Sequence, residues 1–118
     1  MTKEPWEHWE KICPNLTDFL EVQVGQDFEL FGDTLKEIIA NYVSDYTLKT
    51  SQKTLSELKK LLPLFRKGKI NPDQFLNEIN DGKLYEYDDV PTLQYFEDIC
   101  TFLKKEIEQK MKEEREAV

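Results

Sequence analysis

The feature that most limits what this chain can fold into is the spacing of its apolar residues. Leu35, Ile38, Ile39, Tyr42 and Val43 recur at i, i+3, i+4, i+7 and i+8, a period that only an α-helix turns into one continuous face. Leu55, Leu58, Leu61, Leu62 and Phe65 repeat the pattern, with lysines between them. Phe96, Ile99, Cys100, Leu103 and Ile107 repeat it once more. No convincing alternating run appears, although Val22-Gln23-Val24 and Leu84-Tyr85-Glu86-Tyr87 are short enough to be extended pieces.

The breaks between these stripes read as helix boundaries. Leu16, Phe19, Leu20 and Val24 share a helical spacing, and Gly25 ends that run or allows a turn in it. Asp33 is the expected N-cap of the next helix. Ser51 or Thr54 opens the leucine-rich helix, Pro63 ends or kinks it within a turn, and Gly68 confirms the break. Asn71 and Pro72 form a cap and first-turn pair for a short helix with Phe75, Leu76 and Ile79, and Gly82 suits its end. Thr92 is the expected cap of the last helix. Trp6 and Trp9, three residues apart, suggest one more helical turn that is either an exposed end or a staple onto the core. The expectation is an all-α fold: a single compact domain, residues 1–118, of about five or six amphipathic helices. Residues 1–14 read as an N-terminal extension, and the charged tail, 110–118, is expected to fray.

At 118 residues the chain has room for one domain. Seven Phe, five Tyr and two Trp make it too aromatic for a disordered acidic chain. The net charge of −8 argues against direct nucleic-acid binding and against anionic membrane surfaces, and leaves a basic partner open. That charge is blocked. Residues 1–46 carry three Lys against ten Asp/Glu, a net of −7; residues 47–70 carry seven Lys/Arg against one Glu, a net of +6. Residues 71–100 return to −7, with one Lys against eight acids, and 101–118 balance. The blocks either serve the fold, with the basic helix beside acidic ones, or face a partner.

Little in the chain points to catalysis. His8 is the sole histidine, and no phosphate-binding loop, nucleophile elbow or metalloprotease motif is present. Cys13 and Cys100 read as two thiols in a reducing compartment, with a single bridge between them as the alternative. A calcium loop set on Gly82 would place Ile79 where an oxygen ligand belongs and Asp88 where a Glu is needed, so it fails on its own ligands. No catalytic residue, metal site or cofactor is expected. The N-terminus lacks an apolar leader and the apolar runs are too short to span a bilayer, so the expected location is the cytoplasm.

The stretch Leu84 to Val90 is more informative. It places Tyr85 and Tyr87 among Glu86, Asp88 and Asp89, an amphipathic and acidic combination suited to a Lys/Arg-bearing partner. The competing reading is that a tyrosine plugs the core while the acids face water.

Leu16-Thr17-Asp18-Phe19-Leu20, the stretch Gly25-Gln26-Asp27-Phe28-Glu29-Leu30-Phe31-Gly32-Asp33, and the helix with Ile38 and Ile39 resemble the small all-helical immunity proteins of contact-dependent growth inhibition systems. The resemblance runs from about Leu16 to Leu103; the Trp-rich N-terminus, the Lys-rich middle helix and Leu84–Asp89 depart from it. It implies function by binding. Such a protein sits in the cytoplasm of the toxin-producing cell and neutralises a toxin domain delivered by a sibling. Many of these toxins are nucleases, whose phosphate-binding sites are basic. On that basis the expected partner is a cognate toxin domain, a ribonuclease ahead of a deoxyribonuclease, bound 1:1 by a monomer. The residues expected to meet it are Tyr85, Glu86, Tyr87, Asp88 and Asp89, with Asp27 and Glu29 of the second stretch. Asp27 also has a structural reading as a helix cap, with Phe28, Leu30 and Phe31 packing a joint. The alternatives from other classes are a helical adaptor subunit for a non-toxin protein and an enzyme with a carboxylate site.

Overall fold

The computed structural model describes residues 5–23, 32–80 and 90–116. Among them it contains six α-helices and no strand: α1 (Pro5–Ile12), α2 (Pro14–Asp18), α3 (Leu35–Asp45), α4 (Leu48–Arg66), α5 (Pro72–Asn80) and α6 (Thr92–Glu116). A π-helical turn, Phe19–Gln23, continues α2. The all-α, single-domain expectation holds. The extended reading of Val22 and Gln23 does not, because both lie in the π turn; Val24 and Leu84–Tyr87 are outside the described residues.

The apolar stripes become the core. Leu35, Ile38, Ile39, Tyr42 and Val43 of α3 are all buried, as are Leu55, Leu58, Leu61, Leu62 and Phe65 of α4. Helix α6 lies across both, contributing Tyr95, Phe96, Ile99, Leu103 and Ile107. Phe65, Phe75 and Phe96 meet with ring centroids 5.2–5.6 Å apart, joining α4, α5 and α6. Trp9 is a staple: its ring stands edge-on to Phe75 at 4.7 Å and its indole N–H donates to the Glu78 carboxylate, fastening α1 to α5.

Helix ends account for most departures from the sequence reading. Thr34, not Asp33, caps α3: its hydroxyl accepts from Glu37 N at 3.1 Å, while the Glu37 carboxylate accepts from Asp33 N at 3.0 Å. Gly32 is required next to this cap, since a Cβ there would lie 2.9 Å from Ile38 N. Helix α4 starts at Leu48 with Thr47 as cap, a full turn or more before Ser51 or Thr54. Those two residues are small polar members of its buried face, which is why the apolar period starts late. Pro63 lies in the last turn of α4, where it removes one amide donor. The helix then closes in a Schellman motif, with Gly68 at φ +73°, Gly68 N to Phe65 O at 3.2 Å and Lys69 N to Leu64 O at 2.9 Å. Asn71 caps α5 as expected, its side-chain oxygen accepting from Asp73 N and Gln74 N. Thr92 is the first residue of α6 rather than its cap, and its hydroxyl donates to the Asp73 carboxylate of α5.

Further polar contacts among the described residues join separate elements. The Glu57 carboxylate of α4 accepts from Asn15 N and Leu16 N, both at 3.0 Å, and from the Asn15 side chain at 2.7 Å. Lys110 of α6 donates to the Val43 and Tyr46 carbonyls at 2.6 and 2.8 Å, capping the C-terminus of α3. Tyr42 and Thr54 share a hydroxyl pair at 2.8 Å, and Thr54 also donates to Thr50 O at 3.1 Å. Ser51 Oγ is buried and unpartnered among the described residues. Glu57→Ala should therefore cost about 1–2 kcal/mol in urea unfolding, as lost helix caps do, with Glu57→Gln recovering part of it. Ser51→Ala should be neutral or stabilising, because it removes an unpaired buried hydroxyl; a loss as large as that of Glu57→Ala would refute this pairing of roles.

Candidate functional site

All seven residues expected to meet a partner lie outside the described residues: Asp27 and Glu29 in 24–31, and Tyr85, Glu86, Tyr87, Asp88 and Asp89 in 81–89. The described surface supplies a different acidic face, which the sequence reading missed.

That face is built by α1, α2 and the π turn. Burial of Leu16, Phe19 and Leu20 leaves Asp18, Glu21 and Val22 pointing to solvent at i, i+3 and i+4. Glu10 of α1 joins them. The Glu21 carboxyl is raised above the ordinary carboxylate value, first by partial burial and then by the negative charges of Glu10 and Asp18. Among the described residues none of these three acids has an ion-pair partner; the single ion pair is Arg66 with Glu97, at 3.0 Å. Ile12 of α1 is 53% exposed and Val22 of the π turn is 39% exposed.

The opposite charge gathers on α4. Lys49, Lys53, Lys60 and Lys67 are exposed. Between α4 and α6 runs an open groove of about 320 Å³, lined by Gln52, Leu55, Ser56, Lys59, Lys104, Ile107 and Glu108.

The thiols are not poised for chemistry. Both cysteines are free. Cys13 is buried against the Thr17 hydroxyl at 3.6 Å, and burial pushes its thiol up to about 11. Cys100 is half-buried, and its thiol is also raised by burial despite the nearby cations Lys59, Arg66 and Lys104. His8 is exposed, with its ring edge-on to Trp9 at 5.0 Å. No group of three or more metal-ligating side chains occurs among the described residues, and none of their helices is long and apolar enough to cross a membrane.

The raised Glu21 carboxyl has a pH signature. Its ionisation opposes folding, so the penalty is absent below the ordinary value of 4.5 and sets in as pH rises through the raised value. Glu21→Gln should be slightly more stable than the parent at neutral pH, by no more than about 0.5 kcal/mol after solvent screening. The two should become indistinguishable in acid; equal stability at pH 7 would remove the like-charge cluster from the account.

No curated protein and no solved structure matches the chain. A protein-family model described as CdiI immunity protein matches residues 12–103, which takes in α2 to α5 and the first half of α6. Covering most of the sequence, that match shows that the chain belongs to the CdiI immunity protein family.

Proposed function

We propose that this chain neutralises the toxin domain of a contact-dependent growth inhibition system by binding it 1:1 in the cytoplasm. The toxin domain is a basic nuclease, with a ribonuclease the favoured case, and the bound immunity protein covers its active site or substrate surface. The observation that carries this reading is the acidic cluster Glu10–Asp18–Glu21, which has no ion-pair partner among the described residues and has Val22 exposed next to Glu21, on a chain of an immunity family.

A nuclease must hold phosphates, so its working surface concentrates Lys and Arg. An inhibitor that offers carboxylates to that surface is steered onto it by the field of both proteins, and needs no chemistry of its own. The aliphatic side chains supply desolvated contact once the charges have brought the two together. The acids of the segments 24–31 and 81–89, Asp27, Glu29, Glu86, Asp88 and Asp89, extend the same sign of charge, and Tyr85 and Tyr87 add rigid contact area. Partner cations would also relieve the repulsion from Glu10 and Asp18 that adds to partial burial in raising the Glu21 carboxyl.

Two measurements test this. Equimolar chain should abolish the nuclease activity of the toxin encoded beside it; undiminished cleavage with no complex formed would refute the proposal. Reversing Glu86, Asp88 and Asp89 together, or Glu10 and Glu21 together, should slow association by roughly tenfold or more at low salt, with the difference shrinking as salt screens it. An association rate that is unchanged at low salt removes the reversed segment from the interface.

A further inference from the structure

We propose that the free chain pairs with a second copy of itself, the outer face of α4 on one copy meeting the α1–α2 acidic face of the other. With about 100° of turn per residue, Lys49, Lys53, Lys60 and Lys67 fall within about 40° of one another around α4, in a row about 27 Å long. Leu58, Leu62 and Phe65 occupy the other side of the helix and are buried, so the row faces solvent. None of these four lysines has an ion-pair partner among the described residues. Leu64 is 37% exposed, and it follows Lys60 by four residues and precedes Lys67 by three. Among the described residues the row is thus a cationic strip without counter-charges, with an aliphatic side chain set within it.

The complementary surface is on the same chain. Glu10, Asp18 and Glu21 are exposed and have no ion-pair partner among the described residues, and Val22 follows Glu21 in sequence. Among the exposed large hydrophobics of the described residues are this Val22 and Leu64, which lies within the lysine row. The acidic cluster and the lysine row carry opposite charge. In a two-fold pair each copy would present its row to the other copy's acids.

The net charge of −8 opposes association only at long range. At about 0.15 M salt the screening length is about 8 Å, so the repulsion between whole molecules is damped while the touching patches still attract. Exposed ion pairs are individually weak, which makes the pairing a weak one that appears as concentration rises. Because it uses the acidic face assigned above to the toxin, toxin binding would displace the second copy; that consequence rests on the proposed function, whereas the pairing itself does not.

Sedimentation velocity of the purified chain, without toxin, tests it. The average mass should rise from monomer towards dimer with concentration at about 0.15 M salt and fall back as the salt is raised. The variants K60E/K67E and E10K/E21K, both altered only at exposed positions, should each stay monomeric. Mixed in equal amounts they should associate again, because each carries the charge that the other has lost. Monomer mass at every concentration, association that survives K60E/K67E, or a mixture that stays monomeric would overturn the proposal. So would an RNA oligonucleotide that binds the parent chain through the row, and not K60E/K67E, where the chain alone remains monomeric.

Discussion

The arrangement depends on one carboxylate. Helix α2 has five residues, far fewer than an isolated helix needs to hold itself, and it passes directly into a π turn. Its N-terminal amides are satisfied from outside by Glu57, which accepts from Asn15 N, Leu16 N and the Asn15 side chain. With that end fixed to α4, Leu16, Phe19 and Leu20 are seated in the core. Asp18, Glu21 and Val22 are thereby turned outward. Glu57 is the lone acid of the basic segment 47–70, and it is spent on positioning the acidic face rather than on neutralising its lysine neighbours.

Among the described residues, charge is separated more than it is paired. One ion pair, Arg66 with Glu97, links α4 to α6 among the described residues. Elsewhere cations and anions serve helix ends, as Lys110 does at the C-terminus of α3 and Glu37 at the N-terminus of the same helix. What remains forms an acidic face at α1–α2 and a cationic row on α4. Surfaces left unneutralised in this way favour partner choice and rapid encounter over stability.

How much of this was legible in the sequence depended on range. The stripes of α3, α4 and α6 were legible because each is a local period, and Asn71-Pro72 was legible because a cap is a local motif. Thr34 was passed over for Asp33 because both are cap formers standing side by side, and the Glu37 contact decides between them. The start of α4 was hidden because Ser51 and Thr54 serve its buried face without being apolar. Glu57, forty-two residues from Asn15, and Trp9, sixty-nine from Glu78, act through distances that no local pattern encodes. The acidic face was hidden for a related reason. Which side of α1, α2 and the π turn is covered is set by their packing on the rest of the chain, and that packing leaves Asp18, Glu21 and Val22 exposed. The family was legible from Leu16 to Leu103 because that resemblance is itself a matter of sequence, and the match over residues 12–103 agrees with it.

The central claim is that the acidic face held out by Glu57 is the surface that takes the toxin. Hydrogen–deuterium exchange of the chain with and without its cognate toxin tests this most directly. The account predicts slowed exchange over residues 8–31 and 81–90 in the complex, with the outer face of α4 unprotected by the toxin at concentrations where the free chain is monomeric. Protection confined to α4 and the groove it forms with α6, with no change at α1 and α2, would contradict it.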